Sequence, residues 1–263
     1  MPELPEAETL ALELRRTVVG KRIVEVRFRE PKALNLPPDE FVQKAKGRVE
    51  KVQRRAKAVA LFLEGDGSLW LHMGLRSDVG KVPRNEVPPK AFLTLVFDDG
   101  SAFYMDKTFM GYAHFVSKEE LPVRWAESGI DPLDEAFTPG KLKEIVASKP
   151  SQAIKSLLMD QSIIGGIGNI YSDEVLHAAG IYPARKCSTL SDEEVKRLQR
   201  AIREILTSAV DQGGGPEMRD FRGKVGGYKE AVHGREVCLE HDSPVKKISF
   251  GGRTAYVCEK AQG

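Results

Sequence analysis

The hydropathy pattern of the chain changes character at about residue 130. Before that point, short segments such as 21–28 nearly alternate apolar and charged residues, which predicts β-strands. After it, apolar residues recur at helical spacing until about residue 212, and β character returns only in the last 30 residues. Strands and helices that are segregated along a chain, rather than alternating, indicate the α+β class.

The first half is predicted to be β-rich behind an opening helix. That helix spans 3–18, and Gly20 is placed to end it. Asp99-Gly100 has the composition of a hairpin turn between two of the predicted strands. The predicted strands cover 21–28, 48–63, 68–73, 91–97 and 102–105.

The second half carries clear helix boundaries. Thr138-Pro139 has the composition of an N-cap followed by proline at the first helical position, and Ser191 with Glu194 forms a capping box. A further helix is predicted over 153–162. The glycine-rich stretch after residue 212 predicts a mobile loop, and Gly251-Gly252 separates the two strands of a terminal hairpin.

Composition limits the class of protein without identifying it. Apolar residues make up 41% and charged residues 30%, and the N-terminus has no basic-then-apolar order of a secretory signal. Three cysteines, an odd number, do not form a disulfide framework, so a reducing, cytoplasmic location is expected. The net charge of +2 is small, but Lys44–Lys57 contains seven basic residues and one acid. This basic stripe either faces a phosphate backbone or is an ordinary solvated surface.

The N-terminus offers a candidate nucleophile. Removal of Met1 would leave Pro2 with a free secondary amine, whose pKa near 8 keeps a useful fraction neutral at physiological pH. Attack of this amine on a sugar C1′ would form an iminium ion, and the neighbouring Glu3 could act as a general acid. Glu6 lies one helical turn further on. The alternative is a proline-capped, acidic helix start without chemistry.

A second constellation lies at residues 157–183. A helix is predicted to end at the turn Gly165-Gly166-Ile167-Gly168, and Asn169 is predicted to cap a new helix that runs to Ala179. Glycines allow close approach of the backbone, and a helix N-terminus attracts anions. Lys155 precedes this turn and Asn169 follows it. If the segment were an ordinary helix hairpin, it would not require a lysine and an asparagine at these two positions.

Over essentially its whole length the sequence resembles the family of formamidopyrimidine-DNA glycosylase and endonuclease VIII, more closely the former branch. Four segments carry the resemblance: PELPEAET at 2–9, VQRRAK at 52–57, GIGNIYSDE at 166–174 and GGRTAYVC at 251–258. It implies an N-terminal β-sandwich with flanking helices (1–130), a helical domain with a helix–two-turns–helix motif (131–232) and a zinc-finger-like β-hairpin (233–263). The implied partner is double-stranded DNA with a damaged base or an abasic site, bound by a monomer.

The resemblance also implies roles for single residues. Pro2 would be the Schiff-base nucleophile, Glu3 the acid at the deoxyribose and Lys57 an essential lysine. Phosphate contacts would come from Lys155, Asn169 and Arg253. Glu6 and Glu174 would support the site or line the base pocket.

The terminal hairpin departs from the family pattern of two Cys-x2-Cys pairs. Cys238, His241 and Cys258 occupy three of the four positions, and the fourth is Ala261. A structural zinc needs four protein ligands. Two alternatives therefore remain open: zinc completed by water or by one of Glu240, Asp242 and Glu259, or a hairpin held by packing around two buried thiols.

The residues expected to fill the gap left by a flipped base also differ. Matching positions hold Leu75, Phe109 and Met110, so an apolar wedge is retained while the arginine expected to read the opposite base is replaced by Phe109. Arg76 and Lys107 are candidates to replace it. The alternative places 109–110 in the core of a strand end.

Together these features predict a base-excision-repair enzyme. It would be a DNA glycosylase for oxidised or ring-opened purines that also cleaves abasic sites by β,δ-elimination. The purine preference follows from the loop at 213–229, which resembles the loop that covers the flipped purine in that branch. The competing prediction is a non-catalytic homologue that binds damaged or bent DNA.

Overall fold

The computed structural model of the chain describes residues 2–65, 67–75, 78–106 and 109–263. It forms two compact units. The first contains the residues up to Glu127 together with Gly213–Gly227, and the second contains Ser128–Gln212 together with Tyr228–Gly263. The glycine-rich loop thus packs with the N-terminal part of the chain. The three-domain division predicted from the sequence stays a prediction.

The first unit opens with helix α1 (Leu4–Val18), as predicted. Its apolar face, which includes Leu10 and Leu14, is buried in the main core of the unit. Proline in the first turn and arginines in the last suit the fixed φ of the helix start and the helix dipole. The helix ends before Gly20, whose φ of +87° lies in the left-handed region.

The strands of this unit form one antiparallel sheet in the order β5-β7-β6-β1-β2-β3-β4-β8. β1 and β2 pair over only two positions, so the sheet divides into two four-stranded halves. Apolar residues of both halves and of α1 share one core, which confirms the predicted β-sandwich. The strands are β1 (Arg22–Phe28), β2 (Gly47–Arg55), β3 (Ala58–Leu63), β4 (Gly67–His72), β5 (Val79–Pro83), β6 (Ala91–Phe97), β7 (Ser101–Asp106) and β8 (Tyr112–Ser117).

The structure corrects the predicted strand set in two ways. The single strand expected over 48–63 is two strands, because the chain turns at Ala56, which has a φ of +51°. β5 and β8 were not predicted, and they are short strands at the two edges of the sheet. The Asp99-Gly100 turn is confirmed, with Gly100 at φ +80°. Two helices of this unit were also not predicted, α2 (Pro38–Lys44) and α3 (Leu121–Glu127).

The second unit is built from helices and the terminal hairpin. The hydroxyl of Thr138 caps its first helix by accepting from the backbone N–H of Lys141, and the Ser191–Glu194 capping box is present, both as predicted. The helices are α4 (Pro139–Ser148), α5 (Ile154–Met159), α6 (Asn169–Ala178), α7 (Asp192–Asp211) and α8 (Glu259–Gln262). β9 (Val245–Phe250) pairs with β10 (Arg253–Cys258) in the hairpin.

α6 is the central element of the second unit, packing against α5, α7 and β10. One boundary differs from the prediction. Gly168, in an extended conformation, is the N-cap, and Asn169 is the first helical residue rather than the cap. The α+β class is confirmed. Within the described residues, no helix combines the length and apolar character needed to cross a membrane.

Candidate functional site

Pro2 and Glu3 lie at the start of α1, where the backbone is held by buried contacts. Glu3 is only 2% exposed, and its backbone N–H donates to Glu6 Oε2 at 2.8 Å. The other oxygen of Glu6 accepts from the backbone N–H of Gly215 at 3.0 Å. One carboxylate therefore fixes both the residue after Pro2 and the glycine-rich loop.

Gly214 shows how closely this loop approaches α1. Its φ is +82°, and a Cβ at this position would lie 3.0 Å from Glu6 Oε1. A side chain there would meet both backbone strain and a tight contact. Glycine at this position allows the loop to reach the carboxylate of Glu6.

Lys57 lies in the turn between β2 and β3, directly after Ala56. The end of β2 is attached to α1 because Arg54 Nε donates to Glu8 Oε2 at 2.7 Å. The pKa of His72 is lowered to about 4, mainly by burial and to a smaller extent by the positive charges of Lys57 and Arg124. The structure therefore places the Lys57 charge near His72, and the two strands that flank Lys57, β2 and β3, pack against α1.

The basic stripe is not one uniform surface. Arg54 is mostly buried against Glu8, whereas the guanidinium of Arg55 lies over the ring of Trp125 at 5.3 Å and donates to its carbonyl. Part of the stripe thus joins elements of the first unit. The contact of the remaining stripe with a phosphate backbone stays a prediction.

Leu75, Phe109 and Met110 are brought together in the first unit. Leu75 and Phe109 form a short antiparallel bridge, with the backbone N–H of Leu75 donating to the Phe109 carbonyl at 2.8 Å. Phe109 is 70% and Met110 66% exposed, so the alternative that they are core residues is wrong. Met110 also has a φ of +66°, which is unusual for a residue with a side chain. Arg76 and Lys107 lie outside the described residues.

Lys155 is fully buried in the second unit, beneath the start of α6. Its ammonium donates to Asp173 Oδ1 at 2.5 Å, to Ser172 Oγ at 2.9 Å and to the carbonyl of Asn169 at 3.3 Å. Asp173 Oδ2 in turn lies 2.7 Å from His233 Nδ1. The phosphate contact implied for Lys155 stays a prediction, and its visible contacts stabilise the first turns of α6 from within.

Asn169 and Arg253 lie next to each other in the fold. Asn169 Nδ2 donates to the carbonyl of Thr254 at 3.1 Å, which joins the N-terminal end of α6 to β10. Arg253 precedes Thr254 and is exposed beside the Gly251-Gly252 turn. The structure thus brings together two residues expected to contact phosphates, although they are 84 positions apart in the sequence.

Glu174 is buried and holds the backbone that leads to the hairpin. Its carboxylate accepts from three consecutive N–H groups, those of Ala231 (2.6 Å), Val232 (3.1 Å) and His233 (2.8 Å). Burial raises the pKa of Glu174, and these three donors oppose the shift. The arrangement fits the supporting role expected for this residue.

Four side chains of the second unit form a group of the kind that holds a metal ion. They are Cys238, His241, Cys258 and a residue that was not predicted, His177 of α6. Their potential ligand atoms all lie within 4.8 Å of one another. Two thiols and two imidazoles are a donor set that suits zinc. This group supports the alternative in which the hairpin segment binds zinc. The acids considered as the fourth ligand, Glu240, Asp242 and Glu259, do not belong to the group.

Two residues important to this unit gave no local signal in the sequence. His177 is 61 positions before Cys238, on a helix that no Cys or His spacing motif includes. Asp173 is one of two adjacent acids in α6, and its partner, the buried Lys155, lies on another helix. A lone histidine near the end of α6 was the only available indication.

Comparison with known proteins agrees with this geometry. A family model described as the formamidopyrimidine-DNA glycosylase N-terminal domain matches residues 1–112. A second, described as the H2TH domain of the same enzyme, matches residues 128–220. The two matches cover both the segment that contains Pro2 and Lys57 and the segment that contains Lys155 and Asn169.

Relatives and solved structures extend the similarity over the whole chain. A formamidopyrimidine-DNA glycosylase from Shouchella clausii is 34% identical over all of this chain and 99% of its own length. Another from Roseiflexus is 40% identical over 86% of this chain and 84% of its own. The MutM (Fpg) crystal structure from Thermus thermophilus has a TM-score of 0.86 at 33% identity, covering 99% of this chain and 98% of that one. Lactococcus lactis Fpg in complex with abasic-site DNA has a TM-score of 0.90 at 26% identity, covering 99% of both chains. The chain belongs to the formamidopyrimidine-DNA glycosylase family.

Proposed function

We propose that this chain, once Met1 has been removed, excises oxidised or ring-opened purines from double-stranded DNA and then cleaves the abasic strand. The single observation that carries the proposal is the start of α1, where Pro2 precedes a buried Glu3 whose backbone is held by Glu6. Structural neighbours from Lactococcus lactis have been solved with DNA containing an abasic site and with DNA containing Fapy-dG. Family membership and these neighbours support a DNA substrate.

The chemistry begins with the secondary amine of Pro2. A fraction of an amine with an unperturbed pKa near 8 is neutral at physiological pH, so its lone pair can attack C1′ of the damaged nucleotide. The bond from Pro2 nitrogen to C1′ forms, the bond from C1′ to the base breaks, and the departing base takes up the proton that the amine nitrogen loses. Protonation of the sugar ring oxygen by Glu3 opens the ring and leaves an iminium ion at C1′.

Strand cleavage follows from the iminium ion. It makes the C2′ proton acidic, so β-elimination breaks the bond from C3′ to its phosphate oxygen. A further δ-elimination breaks the corresponding bond at C5′. Lys57 supplies positive charge near the reacting strand, and hydrolysis of the remaining adduct returns the free amine of Pro2.

The damaged nucleotide must be flipped out of the duplex for this reaction, because C1′ is not accessible while the base is stacked. Asn169 and Arg253 would contact phosphates, which positions the strand without reading its sequence. The exposed side chains of Phe109 and Met110, with Leu75, would fill the space that the flipped nucleotide leaves. The loop of 213–227, held by Glu6, would cover the flipped purine.

The residues His177, Cys238, His241 and Cys258 would hold zinc. A closed site of four protein ligands supplies structure to the hairpin that carries Arg253, and it takes no part in base excision.

Borohydride trapping tests the proposal. Processed protein is mixed with duplex DNA that carries 8-oxoguanine or an abasic site, and borohydride then reduces the iminium to a stable adduct. A covalent protein–DNA species and a nicked strand are expected from the wild type. Pro2→Gly, which replaces the secondary amine by a primary amine of different nucleophilicity and geometry, is expected to form far less adduct.

A matched control separates the amine from the fold. A chain with one extra residue before Pro2 keeps every side chain but turns the proline nitrogen into an amide without a usable lone pair. It should bind abasic-site DNA as the processed chain does and form no adduct. Intact DNA and no adduct across a panel of purine and pyrimidine lesions would instead favour the non-catalytic DNA-binding homologue.

A further inference from the structure

We infer that His177 supplies the fourth ligand of a tetrahedral Cys2His2 zinc site, and that the metal thereby fastens the C-terminal end of α6 to the terminal hairpin. In the pattern that the resemblance implies, all four ligands come from the hairpin segment itself. Here one of them comes from the helix that begins with Asn169. The inference concerns the metal site alone and does not depend on glycosylase activity.

The distances between the ligand atoms fit a single zinc ion. Cys238 Sγ lies 3.3 Å from His177 Nε2 and 3.4 Å from His241 Nδ1, and Cys258 Sγ lies 3.7 Å from His241 Nδ1. A tetrahedron with Zn–S near 2.3 Å and Zn–N near 2.0–2.1 Å has sulfur–nitrogen edges of about 3.5 Å. Three sulfur–nitrogen distances thus match the edges of such a tetrahedron, and all four ligand atoms lie within 4.8 Å of one another.

The group is enclosed, as structural zinc sites are. Cys238, Cys258 and His177 are buried, and His241 is half-buried. Four protein ligands leave no open coordination position for water or substrate. A structural role for the metal follows from this enclosure.

Neighbouring polar groups occupy outer positions rather than ligand positions. A carboxylate oxygen of Glu240 lies 3.9 Å from His177 Nδ1, whereas Cys238 Sγ faces the other ring nitrogen, Nε2. The negative charge of Glu240 is thus near the nitrogen of His177 that would not bind the metal. Glu259 is paired with Lys246 at 2.9 Å, and Ser243 Oγ lies 3.3 Å from Cys258 Sγ.

The position of His177 gives the metal a consequence beyond the hairpin. α6 is joined to β10 at its N-terminal end by the Asn169–Thr254 hydrogen bond. A zinc ion on His177 would fix the other end of the same helix to Cys238 and Cys258. Because the ten residues of α6 span about 15 Å, two fixed points at its ends determine its orientation relative to the hairpin that carries Arg253.

X-ray absorption of the zinc-loaded wild type tests the ligand set without any substitution. The zinc edge and its fine structure are expected to show two sulfur and two imidazole ligands. A spectrum with two sulfurs, one imidazole and an oxygen ligand would overturn the inference, because only one of His177 and His241 would then bind the metal. Elemental analysis that finds no zinc on folded wild type grown with zinc would also overturn it.

Substitution of His177 supplies an independent test. Zinc content of purified His177→Gln is expected to fall at least tenfold relative to the wild type. Cys187→Ala and His233→Gln are matched controls, because they remove a buried thiol and a histidine of the same unit that lie outside the group. Both should keep about one zinc per chain, which is the content that one closed four-ligand site requires.

A linkage measurement separates loss of a ligand from loss of fold. Zinc is expected to raise the melting temperature of the wild type over that of the chelator-treated protein, because a ligand that binds only the folded state stabilises it. His177→Gln should melt at the temperature of the chelated wild type and gain nothing from zinc. A zinc-dependent rise in His177→Gln equal to that of the wild type would contradict the inference.

Hydrogen exchange then reports on the helix. Removal of zinc from the wild type should speed amide exchange in the last turn of α6 at least several-fold. Exchange in α4, which does not contain a ligand, serves as the internal reference. Equal protection of the last turn of α6 with and without zinc would show that the metal does not fasten this helix.

Discussion

The carboxylate of Glu6 accepts a hydrogen bond from the backbone N–H of Gly215, 209 positions later in the chain, at 3.0 Å. Its other oxygen accepts from Glu3 at 2.8 Å. A second contact lies two turns along the same helix, where Glu13 Oε2 accepts from the backbone N–H of Phe221 at 3.3 Å. α1 therefore carries the proposed nucleophile at its start and holds the glycine-rich loop along its length.

Glu6→Gln is the first prediction. An amide offers only one oxygen, so either Glu3 N–H or Gly215 N–H would face an NH2 group in a buried position. An unsatisfied buried donor costs about 1–3 kcal/mol, and we expect the free energy of unfolding in urea to fall by that amount. Single-turnover excision of 8-oxoguanine should slow more than cleavage of an abasic site, because only the former needs the loop to cover a base.

Glu13→Gln is the control for this prediction. Glu13 contacts the same loop through a longer and only partly buried hydrogen bond, so the effects of its substitution on stability and on excision should be smaller than those of Glu6→Gln. Glu6→Gln with the stability and both rates of the wild type would mean that the loop is held by other contacts.

The second prediction concerns Phe109. A bidentate contact to a base edge gives about 1–3 kcal/mol of discrimination, and a phenyl ring has no donor to make one. Single-turnover rates on 8-oxoguanine placed opposite each of the four bases should therefore differ little in the wild type. Phe109→Arg should excise 8-oxoguanine faster from the duplex with cytosine opposite the lesion than from the other three duplexes.

Phe109→Ala completes the comparison. It should lower the single-turnover rate of excision by a similar factor on all four duplexes, since it removes the wedge without changing how the opposite base is read. Because Phe109 is largely exposed, we expect both variants to unfold within about 0.5 kcal/mol of the wild type. A strong preference of the wild type for cytosine would show that another residue reads the opposite base.

Local rules were sufficient for much of this fold. The Thr138 N-cap, the Ser191–Glu194 capping box and the Asp99-Gly100 turn depend on residues within four positions of each other, and all are present. The edge strands β5 and β8 were missed for different reasons. β5 has five residues without alternation, whereas in β8 the residues that alternate with buried Ala113 and Phe115 are Tyr112 and His114, which give little polar contrast in the sequence. The cap at Asn169 was wrong by one residue because Gly168 takes the extended conformation that a cap requires.

The site residues show where local rules end. Exposure of Phe109 and Met110 depends on the bridge to Leu75, a contact that spans more than thirty positions, so the sequence left a core alternative open. The fourth member of the metal group was missed for the same reason. His177 comes from a helix remote in sequence, whereas spacing directed attention to Ala261 and to nearby acids.

The third prediction distinguishes two roles of Lys155. Because its ammonium is buried against Asp173, Lys155→Met would remove the lysine charge from that buried carboxylate, whose other oxygen faces His233. Removing one partner of a buried pair costs about 3–5 kcal/mol, which urea unfolding should show. At temperatures where the variant is folded, the slope of log DNA affinity against log salt should match that of the wild type.

Arg253→Met gives the contrasting result. Loss of a phosphate contact should reduce the salt slope by about 1, while the free energy of unfolding should stay within about 0.5 kcal/mol because the side chain is exposed. A reduced salt slope in Lys155→Met would instead support the phosphate contact that the resemblance implies for this residue.

The last prediction concerns stability in acid and depends on His72. Its Nδ1 accepts from the backbone N–H of Gly74 at 3.1 Å, and its ring stacks on Tyr112. Burial first, and then the charges of Lys57 and Arg124, lower its pKa from 6.5 to about 4. Between these two pH values the unfolded chain binds a proton on this histidine and the folded chain does not. The contribution of neutral His72 to the free energy of unfolding is therefore fully present above pH 6.5 and is lost as the pH falls towards 4.

At 1.36 kcal/mol for each pKa unit, the loss from His72 between pH 7 and pH 4.5 is about 2–3 kcal/mol. His72→Asn keeps an acceptor for Gly74 but does not titrate in this range, so its free energy of unfolding should fall less over the same interval. The measurement is urea denaturation at both pH values. His114→Asn is a second case of the same effect, because burial also lowers the pKa of His114 to about 4, and its loss of stability over this interval should also be smaller than that of the wild type. Equal losses in the wild type and in His72→Asn would show that burial does not hold His72 neutral in the folded protein, and that protonation of Nδ1, with loss of the bond from Gly74, costs the fold little.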